Sequence, residues 1–345
     1  MQVSLLSRFQ GTLLGAILGE MLGAYCQAQL VQNQPISWPD VACWRLATLT
    51  ASPWQLDWGD LIIEQTRSLI EHRGLDLTPI GRLKNSHLRH NLKSTISSHD
   101  HEGDAAAGMA IATLPLAMFL HADPSKFQRA LKQVLPPESA LSAFMDALVT
   151  ALVYGQAIAL ALYGQLNPAN LVTDIVASLA SMDTPLTDPQ FEQSVQHRVQ
   201  ALTSVRTLTL QSKGIETVTQ QLLADPTLRH PMALALYGFL STPADFNLTV
   251  VRAARLGYQP QLTCTLAGAL AGAYTGISGL PISSRLAVSQ VKSMALSSLR
   301  GANPEVELLQ LAHQLFALWS GADNPTNFPP CNHPTPVVSV ARSII

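Results

Sequence analysis

Residues 252–281, RAARLGYQPQLTCTLAGALAGAYTGISGLP, decide the fold. Ala267, Gly268, Ala269, Ala271, Gly272 and Ala273 place nothing larger than a methyl group around most of a helical turn, and only Leu270 and Tyr274 interrupt them. How near two helices pack depends on the side chains between them. The run therefore predicts a helix held at close backbone distance in the middle of the molecule. Just before it, Leu256-Gly257-Tyr258-Gln259-Pro260-Gln261-Leu262 breaks the helical pattern with Gly and Pro. A loop that enters a buried helix from its N-terminal side meets free N–H groups, which makes it a natural place for a site.

A second glycine pattern lies at the other end of the chain. Leu5, Phe9, Leu13, Leu14, Ile17, Met21 and Leu22 recur at helical spacing over residues 1–28, and Gly11, Gly15, Gly19 and Gly23 fall every four residues among them. That stripe predicts a helix face open to the backbone of another helix. Glu20 is the one acid in this segment and sits beside the stripe. An acid on a close-packed face must be paired or face a cavity, and a hydrogen bond to the Gln259/Gln261 loop would satisfy it.

Between these ends the chain reads as helices joined by short turns. Residues 31–53 form a connector with short structured pieces, and a helix over 55–72 ends at Gly74. Residues 82–98 are polar and His-bearing, and 105–120 form a nearly uncharged helix split by Pro115. Asp123-Pro124 starts a helix over 125–135, with Asp as N-cap and Pro at the first helical position. The same signal recurs as Asn167-Pro168 before 171–181, Asp188-Pro189 before 191–203 and Asp225-Pro226 before 231–240. Thr242-Pro243-Ala244-Asp245 has capping-box spacing before 248–256. Period-2 alternation never extends beyond a few residues. The expected fold is all-α, about a dozen helices packed orthogonally in one compact domain over residues 1–320. Residues 321–345, rich in Pro and Asn and then apolar, are expected as an extended surface tail.

The chain is 47% apolar and 13% charged, against roughly 25% charged in a typical soluble protein. So little charge implies a large buried fraction or a surface covered by a partner. A net charge of −2, a pI near 6.5 and the absence of any Lys/Arg-rich run argue against nucleic acid as a ligand. Cys26, Cys43, Cys264 and Cys331 lie far apart with no C-x-x-C pairing, which fits reduced structural thiols in the cytoplasm rather than a zinc site. The N-terminus lacks the basic region and continuous apolar core of a signal peptide. Residues 147–164 and 262–283 approach the ~20 apolar residues of a membrane span. The first holds Thr150, Tyr154 and Gln156, and the second is rich in Gly and Thr and broken by Pro281. Both read as core helices, and no transmembrane span is expected.

Three blocks now stand in a recognisable order: GTLLGAILGEMLGA at 11–24, SLIEHRGLD at 68–76 and AARLGYQPQLTCTLAGALAGAYTGISGLP at 253–281. Together they resemble the ADP-ribosylglycohydrolase family, and residues 105–120 are similar to that family's Ala-Met-Arg-x-Ala-Pro-Leu segment. The resemblance implies a compact all-α domain. For active members it implies a binuclear magnesium enzyme that cleaves the N- or O-glycosidic bond of ADP-ribose. Its ligands come from a Thr-Asp-Asp block at the start of the second helix and a Gly-Gly-Asp-x-Asp-Thr block before the Ala/Gly-rich helix.

In this sequence the first block falls on Leu56-Asp57-Trp58, so Asp57 keeps one carboxylate. The second falls on Gly257-Tyr258-Gln259-Pro260-Gln261-Leu262, with Gln259 and Gln261 at the carboxylate positions. Glu20 stands where most members have Asp, and Ala112 where Arg is usual. One carboxylate, or three if Glu20 and Asp60 swing in, would then face two divalent cations. A Gln carbonyl can ligate Mg²⁺ but adds no charge, and metal-assisted attack by water needs that ion pair. The expected metal content is none, with Asp57, Gln259 and Gln261 as degenerate ligand positions.

Trp58, Gly257, Tyr258, Gln259 and Gln261 line the remnant cleft, which Trp58 and Tyr258 are expected to fill. Asp57 and Asp60 could be a retained acid pair, although helix capping and the helix dipole explain both more simply. His99-Asp100-His101-Glu102-Gly103-Asp104, with His87 and His90, is a separate metal candidate, weighed against a solvated polar loop. Cys264 reads as small packing, since no His lies near it in sequence to activate a nucleophile. The functional expectation is a catalytically inactive, cytoplasmic member of the family that binds a protein partner, in a larger or membrane-bound complex. The alternatives are an ADP-ribosyl hydrolase with Mg²⁺ at a rearranged site around Glu20, Asp57 and Asp60, and a metal-independent sensor of ADP-ribose or a nucleotide.

Overall fold

The computed structural model describes residues 3–44, 56–71, 102–134, 141–180, 189–211, 214–225, 228–289, 296–299, 301 and 303–322. Among them are fifteen α-helices, one 3₁₀ turn at Ile277–Gly279, and no strand. In chain order the helices are α1 (Leu5–Val31), α2 (Trp38–Ala42), α3 (Asp57–Glu71), α4 (Glu102–Ala112), α5 (Leu114–Phe119), α6 (Pro124–Val134), α7 (Leu141–Leu162) and α8 (Leu171–Ala180). There follow α9 (Pro189–Leu210), α10 (Ile215–Ala224), α11 (Pro231–Ser241), α12 (Phe246–Arg255), α13 (Pro260–Thr275), α14 (Ile282–Ser289) and α15 (Pro304–Ser320). The all-α expectation holds.

The two glycine patterns meet each other. A methyl group added at Gly11, Gly15, Gly19 or Gly23 would lie 2.3, 2.4, 2.0 or 2.3 Å from the carbonyl oxygen of Gly272, Gly268, Cys264 or Pro260. The ascending and descending numbers make α1 and α13 antiparallel, in a register of four residues. This is the most extensive helix–helix contact among the described residues. Residues 262–273 of α13 are all buried. Buried residues drawn from α1 through α15 join in one hydrophobic core around the pair.

Arg8 fastens one end of this seam. Its Nη1 donates to the carbonyls of Ala273 at 2.9 Å, Tyr274 at 2.7 Å and Ala161 at 2.8 Å, so one guanidinium faces the C-termini of α13 and α7. A cation is favoured there by the helix dipole. Tyr154 of α7 donates its hydroxyl to the Leu266 carbonyl at 2.7 Å. Within α7, Met145–Leu162 is long and apolar enough to cross a membrane, and 83% of it is buried inside the molecule.

Several boundaries differ from the sequence expectation. The 105–120 segment breaks at Thr113, and Pro115 lies in the first turn of α5, where its missing N–H costs no helical bond. Helix α9 runs to Leu210, well past 203. Asp225 closes α10, while His230 caps α11 by accepting the Met232 N–H on Nδ1 at 3.1 Å. The Thr242–Asp245 capping box is not formed: Asp245 is itself the N-cap of α12, accepting the Leu248 N–H at 2.9 Å, and Thr242 ends α11. The polar segment 82–98, His87, His90, the 99–101 part of the His/Asp candidate and the tail beyond 322 lie outside the described residues.

Candidate functional site at the mouth of the central helix

The loop into α13 is a tight left-handed turn. Gly257 has φ +71° and Gln259, the residue before Pro260, has φ +40°. A non-glycine residue in that region costs roughly 1–2 kcal/mol and persists only where the surroundings hold it. Thr263 supplies the hold, donating its hydroxyl to the Tyr258 carbonyl at 2.8 Å and its N–H to the Gln259 carbonyl at 2.9 Å. The half-buried Tyr258 ring carries the Arg229 guanidinium 5.9 Å from its centroid, and Arg255 lies 5.1 Å from the centroid of Trp38.

Glu20 of α1 sits fully buried where the N-termini of α3 and α13 converge. Its Oε1 accepts the Trp58 N–H at 3.0 Å and the Gln261 side-chain amide at 2.8 Å, and its Oε2 accepts the Gly59 N–H at 2.6 Å. Burial pushes the Glu20 carboxyl up to about 8; the hydrogen bonds from Gln261, Trp58 and Gly59 oppose the shift, and the charge of Asp57 adds to it. Gly59 permits the contact, because a methyl there would lie 2.7 Å from Ile17 Cδ1 and 2.8 Å from Glu20 Oε2. The expected bond from Glu20 to the Gln259/Gln261 loop is thus made by Gln261.

Asp57 lies exposed in the first turn of α3, its carboxyl held above the ordinary range by partial burial and then by the charge of Asp60. Asp60, in the same turn, is engaged elsewhere. Its Oδ2 accepts the N–H and hydroxyl of Ser297 at 2.9 and 2.6 Å, and its Oδ1 accepts the Ser298 N–H at 2.8 Å. Asp60 therefore ties residues 296–299 to α3 rather than capping the helix.

Trp58 turns its half-buried indole onto α4, where a methyl at Gly108 would lie 2.8 Å from Cη2. The seat at Gly108 and the Ser297–Ser298 partners of Asp60 had no signal in the sequence beyond a glycine in an alanine run and a common Ser-Ser pair. Cys264 is buried and directs its thiol to the Val250 carbonyl at 3.7 Å. Among the described residues, no group of three His, Cys, Asp or Glu side chains converges. A cavity of about 510 Å³ lies along α15, lined by Arg67, Asn303, Glu307, Gln310 and Gln314 among others, and shares none of the mouth's residues.

The mouth thus joins one buried carboxyl, two helix N-termini and an amide side chain, with Tyr258 and its Arg229 partner on the loop into α13. A search of curated proteins finds no match to this chain. A family model described as ADP-ribosylglycohydrolase matches residues 1–325.

Proposed function

Because the chain belongs to the ADP-ribosylglycohydrolase family, we propose that it is a non-hydrolytic member that serves as a binding or assembly module for a protein partner. The observation that carries this reading is Glu20, whose two carboxylate oxygens accept three N–H donors from α3 and Gln261. Mg²⁺ needs oxygen ligands in near-octahedral arrangement and draws on carboxylates for charge. Here the Glu20 oxygens already accept three N–H donors, Asp60 is bound by Ser297 and Ser298, and Gln259 and Gln261 bring no charge, which leaves the exposed Asp57 to supply it. Such a donor set does not fit a pair of magnesium ions. Trp58 lies against Gly108 at the same mouth, which supports a filled cleft.

The small charged fraction of 13% supports a surface that a partner covers. The widely spaced cysteines support a cytoplasmic setting. Incubation of the purified protein with ADP-ribosylated substrate in millimolar Mg²⁺ tests the proposal. No release of ADP-ribose is expected, and magnesium-dependent release would overturn it in favour of a hydrolase with a rearranged site. A second reading, a metal-independent ADP-ribose or nucleotide sensor, draws support from Tyr258 on the loop into α13, whose ring is faced by Arg229. Saturable calorimetric binding of ADP-ribose in EDTA, without turnover, would favour it.

A further inference from the structure

We infer that Glu20 and Gln261 form a direct cross-link that takes the structural place of a metal centre, so that the mouth of this fold closes without divalent cations. Three elements meet at this point: α1 through the Glu20 side chain, α3 through the Trp58 and Gly59 N–H groups, and α13 through the Gln261 amide. Two helix N-termini aimed at one place each favour negative charge. The Glu20 carboxyl lies between them, accepting two backbone N–H groups from α3 and the neutral side-chain amide of Gln261 from α13.

An acid at position 261 would reverse this. Gln261 Nε2 lies 2.8 Å from Glu20 Oε1, and a carboxylate at such a distance from the buried Glu20 carboxyl could not ionise together with it without a cation between them. The amide removes that need because it donates a hydrogen bond where an acid would repel. The backbone is trimmed on both sides of the link. A methyl at Gly59 would lie 2.8 Å from Glu20 Oε2, and one at Gly23 would lie 2.7 Å from the Gln261 Cα. The closure is therefore built into the packing of α1 against α3 and α13.

This inference rests on the same closed mouth as the proposed function, and its readout is thermal. Unfolding of the full chain is followed in EDTA and in millimolar MgCl₂ for the wild type, Gln261→Asp and Gln261→Ala. The wild-type midpoint should be the same in both buffers. Gln261→Asp should melt lower in EDTA and recover as MgCl₂ is added, whereas Gln261→Ala should melt lower and not recover. A saturable rise of the wild-type midpoint with MgCl₂ overturns the inference, as does a Gln261→Asp protein that responds to the cation no more than Gln261→Ala. The wild-type arm decides even where Gln261→Asp does not fold. Magnesium-dependent hydrolysis by a wild type whose midpoint ignores MgCl₂ would sink the proposed function and leave the cross-link. A magnesium-raised midpoint without hydrolysis would do the reverse.

Discussion

Glu20 is an acid that the fold keeps protonated longer than the unfolded chain does. Its folded carboxyl titrates at about 8 against an ordinary value of 4.5, so the native state retains a proton that the unfolded state has released. That contribution is fully present below pH 4.5 and is lost as pH rises through about 8. Glu20→Gln should flatten the dependence of stability on pH across this window, as urea unfolding at a series of pH values would report. Two buried histidines act in the opposite sense. Burial, then Arg198, lowers His230 well below 6.5, and burial lowers His121. Their contribution is lost as pH falls below the ordinary value. His230 also caps α11 through Nδ1, and protonation would remove that acceptor. His230→Asn keeps a capping oxygen and should blunt the acid-side loss of stability. Glu20 was legible in the sequence because an acid among glycines has few ways to be satisfied. Asp60 was not, because a Ser-Ser pair far along the chain has nothing that marks it as a partner.

At the scale of elements, the same substitution should have different costs at different glycines. A methyl at Gly272 would lie 1.9 Å from the Gly11 carbonyl oxygen, so the two helices must part. Gly272→Ala should cost about 3 kcal/mol or prevent folding. Gly257 has φ +71° with nothing within 4 Å of an added methyl, so Gly257→Ala meets backbone strain alone, about 1 kcal/mol. Chemical denaturation of the two variants checks the ordering. Helix existence was readable from apolar spacing, and α6 begins where Asp123-Pro124 marks it, with the Lys126 N–H donated to the Asp123 carboxylate at 2.8 Å. The starts of α11 and α12 were less so. Short polar clusters such as Thr242-Pro243-Ala244-Asp245 offer more than one capping residue, and tertiary packing chooses among them. Here the hydroxyl of Thr242 turns back to α11, donating to the Gly238 carbonyl at 3.2 Å, and Asp245 takes the cap.

At the scale of the whole molecule, the helix class and the family were both legible, because residues that permit backbone contact are rarely gathered for any other purpose. What the molecule does was less legible. The candidate site is made of a few donors whose distances become defined only when α1, α3 and α13 meet. The Trp58 indole belongs to the same class, since its seat is a glycine on α4 that sequence spacing does not connect to it. Trp58→Ala should reopen that space while leaving Glu20 bonded to the backbone at 58 and 59. Under the proposed function it should raise ADP-ribose affinity, measured by calorimetry, without producing hydrolysis.

A helix pair matched every four residues can in principle slip by four residues, about 6 Å, and still set small residues against small ones. The two ends are what forbid it. Glu20 grips Gln261 near the start of α13, and Arg8 grips Ala273 and Tyr274 near its finish. The seam thus resembles a ruler with a stop at each end, in which glycines set the spacing and a buried carboxyl and a guanidinium set the zero. Arg8→Ala combined with Glu20→Ala should destabilise the protein by more than the sum of the single variants, because only the double variant frees the register.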